Sequence, residues 1–293
     1  NDIIFRVNGA HGTIAEITSH IDEIRKQSRN ASILMDLPGN KVRTLNINDP
    51  IVLVPGKTFF LNFNQLNYEN FHKHIKIGDK VWANDSTFEF VVDKIDAERR
   101  VITFLSNSKG TLLSNKGMHV RGIHATIPFL FEKDKKLIDL ANEMDLEYIG
   151  LSFVRKTADI DLARKLIAKN IKIISKIETE AAINNLDGIL NMVNFIIIDR
   201  GDLSTDVGIE NIPVHQDFIL RQAKKKGIKV FLATQFLKHM ESNPLPSIPE
   251  VMDLHTTFSK GIFGIQLSEE TAVGAYPIQC IEFLRRMRDV TNY

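Results

Sequence analysis

Residues 171–202 read IKIISKIETEAAINNLDGILNMVNFIIIDRGD. Two apolar, β-rich runs, Ile171–Ile177 and Phe195–Ile198, enclose Glu180–Met192, whose spacing and composition are helical. A strand covered on both faces needs a nearly continuous apolar run, and two such strands joined by a helix form a parallel βαβ unit. The alternation continues outward. Tyr148–Val154, Lys229–Ala233 and Phe263–Leu267 read as further strands, and Thr157–Lys169, Asp217–Lys226 and Pro277–Val290 as helices. Upstream, Ile3–Val7 and Ile33–Leu37 have the same character and flank the helical stretch Ile14–Arg29. This predicts an α/β fold, a (β/α)8 TIM-type barrel of which about seven strands can be read.

Asn46 to Arg121 reads differently. Ile51–Val54, Phe59–Phe63, Lys80–Asn84, Phe88–Ile95 and Val101–Ser106 are short strand-like runs. They are punctuated by Pro55-Gly56, Gly78-Asp79, Asn84-Asp85 and Lys109-Gly110. An all-β lid domain inserted in a βα loop is expected, because such loops tolerate length. The expected organisation is barrel over 1–45, lid over 46–121 and barrel again over 122–293.

With 37 Lys+Arg against 36 Asp+Glu, the formal charge is +1. That balance argues against a phosphate-backbone binder, so no nucleic-acid partner is expected. The single cysteine, Cys280, excludes an intrachain disulfide and a four-cysteine zinc site. No apolar run approaches the ~20 residues of a membrane span. A cytoplasmic protein without membrane contact is expected. The chain opens on Asn1, almost directly on Ile3-Ile4-Phe5, and a preceding piece supplying the first barrel strand is expected.

In such a barrel the chemistry lies at the C-terminal ends of the strands. Those ends read Arg6-Val7-Asn8, Asp36, Lys176-Ile177-Glu178, Asp199-Arg200-Gly201-Asp202, Thr234-Gln235 and Ser268-Glu269-Glu270-Thr271. A charged strand end on its own is often just a solvated loop residue. Polar clusters on every one of these strands are not accounted for that way. Arg6 and Asn8 project from one side of their strand, as do Lys176 and Glu178. Neighbouring strands would bring Glu178 close to Asp202, and two converging carboxylates repel unless a cation such as Mg²⁺ or Mn²⁺ lies between them. Arg6 and Lys176 facing the same cavity suit a phosphate or an enolate. Gly201 lets backbone N–H groups approach a carboxylate closely.

The strings themselves resemble those of pyruvate kinases. Arg6-Val7-Asn8-Gly9-Ala10-His11-Gly12 is similar to the family's R-x-N-x-S-H-G, and Asp36-Leu37-Pro38-Gly39-Asn40-Lys41-Val42-Arg43 to its D-x-x-G-P-x-I-R. Ser152-Phe153-Val154-Arg155, Ile173–Glu178, Arg200–Leu203 and Ala233-Thr234-Gln235 match almost letter for letter. Ser268–Ala272 through Tyr276-Pro277 resembles S-G-E-T-A…Y-P, and Ser114-Asn115-Lys116-Gly117 the S-K-K-G turn of the lid.

The resemblance implies a Mg²⁺-dependent (or Mn²⁺-dependent) phosphoryl transfer between phosphoenolpyruvate and ADP, giving pyruvate and ATP. It implies Glu178 and Asp202 as metal ligands, Lys176 stabilising the phosphoryl in flight, and Arg6 and Asn8 on the substrate. Thr234, with Gly201 and Asp202, would meet the carboxylate. Arg43, Asp85, Lys116 and His11 would serve the nucleotide, and Glu270 the protonation of enolpyruvate.

Several departures stand out. Ala10 replaces a potassium-binding hydroxyl, Leu37 a threonine, and Lys41, near Asp36, a glutamate. The Lys41 ammonium is therefore expected to substitute for K⁺. Ile248 stands where the family has arginine, and Glu269 where it has glycine. The first barrel unit and the C-terminal regulatory domain are not in this chain, and no sugar-phosphate control is expected.

Altered neighbours Asn84 and Asn115 leave open another phosphoenolpyruvate or pyruvate-enolate enzyme, with a different acceptor or C–C lyase chemistry. A non-catalytic ligand-binding paralogue is a further alternative. His72-Lys73-His74 reads as surface, Lys224–Lys226 as a solvated helix end, and Cys280 as packed and inert. A homodimer through barrel helices is expected.

Overall fold

A computed structural model of the chain describes residues 3–84 and 87–291. Among them, seven strands form one parallel sheet: β1 (Ile4–Asn8), β2 (Ser32–Asp36), β3 (Tyr148–Leu151), β4 (Lys172–Ile177), β5 (Phe195–Asp199), β6 (Lys229–Ala233) and β7 (Gly264–Gln266). They lie side by side in chain order, so every connection is a βα crossover to the next strand. The sheet curls, and β1 and β7 are its two edges. Glu180–Met192, read as one helix, is two short ones, Glu180–Asn184 and Leu186–Leu190, meeting at Asn185.

The alternation of side chains along each strand divides the core. Ile33 and Met35 of β2, Ile173 and Ile177 of β4, and Ile196 and Ile198 of β5 pack outward beneath the helices in the main hydrophobic core. Leu34, Ile174, Phe195, Ile197 and Ala233 form a separate cluster on the concave face. This two-sided burial is why the strands read as unbroken apolar runs. The same alternation places Asp36, Lys176 and Asp199 on the concave face, one step beyond Leu34, Ile174 and Ile197.

Between β2 and β3 lie the antiparallel sheets. Thr58–Asn62, Val101–Ser106, Phe88–Asp96, Lys80–Ala83 and Met118–His119 follow one another across a five-stranded sheet. Ile51–Leu53 and Gly110–Leu112 pair separately. Their core is aromatic, with Phe71, Phe90 and Phe104 fully buried, and it also takes in Val42, Ile123 and Ile127 where the chain leaves and rejoins the α/β part.

Candidate functional site

The polar strand ends gather over the concave face. Arg6 Nε donates to Asp36 Oδ2 at 2.7 Å across the paired strands β1 and β2. Lys176 Nζ lies 2.8 Å from Glu178 Oε1, 3.4 Å from Asp36 Oδ1 and 3.5 Å from Asp199 Oδ2. An ammonium this deep is tolerated only when paired. Burial works against its charge, yet the surrounding carboxylates, Asp36 first, hold its pKa above the ordinary lysine value. Burial likewise tends to raise Asp36, but Lys176 and Arg6 outweigh it and keep that carboxyl below its usual range.

Glu178 follows β4 directly. Its Oε2 accepts the Phe153 N–H at 2.7 Å, at a residue forced to φ +56°. Burial pushes its pKa up to about 8, with Lys176 opposing and the carboxylates Asp202 and Asp199 reinforcing. Asp202 is displaced the other way. Burial tends to raise it, but Lys41, whose Nζ is 2.7 Å from Asp202 Oδ1, leads the effects that bring it below the usual carboxylate range. Asp36 is instead taken by Arg6 and Lys176. A side chain on Gly117 would collide with Lys41 Cε at 2.8 Å, so this glycine makes room for the lysine stem.

The helix Arg200–Val207 begins on the residue after β5, so Gly201 and Asp202 fall in its first turn, where backbone N–H groups lack intrahelical partners. A Cβ on Gly201 would press on Thr234 Cγ2 at 3.0 Å. Thr234 has φ +81°, unfavourable for a β-branched residue. Arg200 accounts for its retention: the guanidinium donates to Thr234 O at 2.6 Å, pairs with Asp253 at 2.8 Å and lies over Phe236. The Thr234 hydroxyl donates to Asp199 Oδ1 at 2.6 Å.

Oxygens of Glu178, Asp199 and Asp202 lie within 4.8 Å of one another. Glu178 Oε1 is buried against the Lys176 ammonium at 2.8 Å, which engages one of its lone pairs. Three carboxylates converging as hard oxygen donors fit a Mg²⁺ or Mn²⁺ ion. Asp199 carried no role in the sequence reading. Its signal was its phase, two residues beyond Ile197 on a strand whose odd-numbered residues face inward.

The remaining expected residues divide. Asn8 Oδ1 accepts the Ala10 N–H at 3.0 Å, closing the turn after β1. Arg43 bridges to Gly117 and its guanidinium donates to Asn115 O, which brings it beside Lys116. A cleft of about 460 Å³ is lined by Ala10, Arg43, Tyr68, Asn115, Phe131 and Lys133, among others. The exposed His11 is held below its ordinary pKa by partial burial and then by Arg43 and Lys133, so it feels the same cations. Glu270 turns away: its Oε2 accepts the Ser268 N–H at 2.7 Å, and its carbonyl lies near Cys280 Sγ. It is the neighbouring Glu269 whose charge acts on Arg6. Asp85 lies outside the described residues.

Where the chain returns from the antiparallel sheets, two buried histidines meet. His119 and His124 have ring centroids 5.4 Å apart, and His124 Nδ1 contacts Asn40 Oδ1 at 2.9 Å. Burial lowers His119 to about 4 and His124 to about 3, with nearby Lys41 acting in the same direction. An unfolded histidine titrates near 6.5, so on acidification the unfolded chain takes up protons that the native rings refuse. Their stabilising contribution is complete above pH 6.5 and is lost as the pH falls toward 4, by about 1.4 kcal/mol per pH unit for each ring. Urea unfolding at pH 7, 6 and 5 checks this. The expected result is a steep acid-side decline that His119→Asn makes shallower, and an unchanged slope in that variant contradicts it.

His72 Nδ1 meets its own Glu69 O, and His74 meets Tyr68 and Thr126, so neither is drawn into a metal cluster among the described residues. Cys280 is fully buried in Pro277–Thr291. Among the described residues no helix is long and apolar enough to cross a membrane.

Comparison with known proteins agrees with this geometry. The profile of the pyruvate kinase barrel domain matches residues 2–281. Pyruvate kinase of Borreliella burgdorferi is 33% identical over 294 residues, covering 96% of this chain and 61% of that protein. The Sporosarcina psychrophila enzyme is 30% identical over 307 residues, covering 99% of this chain and 52% of its own. A Staphylococcus aureus enzyme is 29% identical over 301 residues, with 97% and 52% covered. The chain thus spans about half to three fifths of the length of these relatives. A profile match over nearly the whole chain, on a parallel sheet whose strand ends converge on Lys176 and its carboxylates, shows that this chain belongs to the pyruvate kinase family.

Proposed function

We propose that the chain catalyses phosphoryl transfer between phosphoenolpyruvate and ADP, giving pyruvate and ATP. The observation that carries this reading is the Lys176 ammonium, set among Asp36, Glu178 and Asp199 with the Arg6 guanidinium beside it. The relatives are named pyruvate kinases, and their site strings recur here.

Glu178 and Asp202 hold the divalent cation, which supplies a Lewis-acidic charge for the substrate's carboxylate and phosphate oxygens. Lys176 sits where negative charge develops as the phosphoryl leaves and an enolate remains, and its dense carboxylate shell fixes its position in advance. Arg6, oriented by Asp36, takes the phosphate, and Asn8 shapes the turn beneath it. The N–H groups of Gly201 and Asp202, with Thr234, receive the carboxylate end of the substrate.

Arg43, Lys116 and His11 serve the nucleotide phosphates at the cleft beside the antiparallel sheets, which act as a lid, and Asp85 is assigned to the same nucleotide on the resemblance of the sequence. Catalysis is then mainly positioning and charge stabilisation, as in other phosphoryl transfers. Glu270 assists protonation of enolpyruvate indirectly, through the loop it braces.

The test is coupled pyruvate release from phosphoenolpyruvate and Mg²⁺, with and without ADP. ADP-dependent turnover is expected. Release without ADP points to another acceptor, and Mg²⁺-dependent substrate binding with no release points to a non-catalytic paralogue.

Lys41 acts as a built-in monovalent cation, supported by its contact with Asp202. Equal rates in Na⁺, K⁺ and tetramethylammonium buffers are expected, and a strong K⁺ requirement overturns this. The reading extends to a cytoplasmic homodimer in which barrel helices pair. Exposed Val214 on Ile212–Lys225, and Ile248 and Met252 on Ile248–Ser259, offer the apolar surface.

A further inference from the structure

Beyond the pair assigned to the cation, the concave face carries two more inward carboxylates, Asp36, which is taken by Arg6 and Lys176, and Asp199. Asp199 ends β5, shares the inward phase of Phe195 and Ile197, and stands in register with Ala233 of β6. One of its oxygens lies within 4.8 Å of an oxygen from each of Glu178 and Asp202. We propose that Asp199 is a third protein ligand of the divalent cation, so that the chain binds a hard metal ion before any substrate arrives. This rests on the cation reading given above.

Charge and geometry support it together. The immediate cluster sets four carboxyl groups, Asp36, Glu178, Asp199 and Asp202, against three cationic side chains, Arg6, Lys41 and Lys176. Carboxyl groups this close together in a partly buried site are costly to ionise unless a cation lies among them. The contacts of Asp199 leave room for one. Thr234 engages a single lone pair of Oδ1, and Lys176 stands at a long 3.5 Å from Oδ2, whereas a carboxylate has about four acceptor sites. Octahedral ligation at about 2.1 Å sets adjacent donors about 3 Å apart and opposite donors about 4.2 Å apart, so oxygens already within 4.8 Å of one another share an ion after side-chain shifts of at most about 2 Å. The side chains of Asp199 and Asp202 keep 13% and 25% exposure, which leaves the cluster open on one side.

A consequence follows for Thr234. Its hydroxyl proton is committed to Asp199, so a cation that fixes Asp199 also fixes the Thr234 rotamer at a backbone already held at φ +81°. Metal binding and readiness for the substrate carboxylate are thereby linked through one side chain.

The test is a Mn²⁺ titration of the substrate-free full chain, following the spin-resonance signal of free Mn²⁺, with a melting curve for each variant. Asp199→Asn is expected to weaken Mn²⁺ binding about tenfold or more, as Glu178→Gln and Asp202→Asn do, with Asp199→Glu restoring most of it. Thr234→Val keeps all the carboxylates and is expected to change affinity less than about twofold. If Asp199→Asn binds Mn²⁺ like the parent while Glu178→Gln and Asp202→Asn do not, the third ligand is wrong and the cation reading survives. If none of the three substitutions weakens binding, both readings fall. The parent protein supplies an independent check, since the spin-echo modulation of bound Mn²⁺ in D₂O counts its water ligands. A six-coordinate ion with three carboxylates keeps about three waters, and four overturns the proposal.

Discussion

Lys176→Met is expected to lower ADP-dependent pyruvate formation about a thousandfold, the scale of losing a charge aimed at a developing anion. The ammonium makes its contacts with Asp36, Glu178 and Asp199 from a side chain only 5% exposed, so no neighbouring cation can take its place. Arg6 is committed to Asp36 and Lys41 to Asp202. Methionine keeps the length and apolar stem but leaves the carboxylates uncompensated. Glu178, already shifted upward by burial, then takes a proton more readily still. The variant is expected to hold its fold near neutral pH and to fail in turnover rather than in substrate affinity alone. Steady-state rates alongside a melting curve separate the two. A variant that melts normally and retains more than about a tenth of the parental kcat removes Lys176 from the chemistry.

Arg155→Met is expected to produce the largest loss of stability, about 3–5 kcal/mol. Arg155 and Asp159 are both buried and joined by a bidentate pair, Nε to Oδ2 at 2.9 Å and Nη2 to Oδ1 at 2.8 Å. The same guanidinium donates through Nη1 to His124 O and to Ile127 O. One side chain thus ties the segment returning from the antiparallel sheets to the strand end that leads to Phe153 and Glu178. Methionine removes the balancing charge from a buried carboxylate, which keeps only the backbone N–H of residue 155 at 3.0 Å, and leaves two carbonyls without this donor, which costs more than the pair contributes. Urea unfolding measures the loss, and the double variant Arg155→Met/Asp159→Leu is expected to recover part of it by removing the stranded charge. A loss below about 1 kcal/mol would put this pair in the class of ordinary surface salt bridges.

Arg155 also marks the limit of what local sequence specifies. It stood in a recognised string, yet nothing local indicated that its guanidinium would reach carbonyls 28 and 31 residues upstream. The parallel order of the strands, the antiparallel insert and the inward phase of Lys176 were legible, because they depend on apolar periodicity and on residues close along the chain. The pairing of Glu180–Asn184 with Leu186–Leu190 was missed, since both halves carry helical composition and only the break at Asn185 divides them.

The site divides along the same line. Sequence alone was enough to put Arg6 with Asn8, and Lys176 with Glu178, on one side of their strands, because alternation sets the direction of a strand side chain; Thr234 follows the inward Ala233 and is turned by its φ of +81°, which alternation does not give. Which charges meet was decided only by the curl and register of the sheet. These set Lys41 on Asp202, Glu269 toward Arg6 and Glu270 back onto Ser268, and they drew Asp199 into the carboxylate cluster. The reason is that direction follows from the backbone period of a single strand. Distance between strand ends depends on how neighbouring strands stagger and twist, which no single segment specifies.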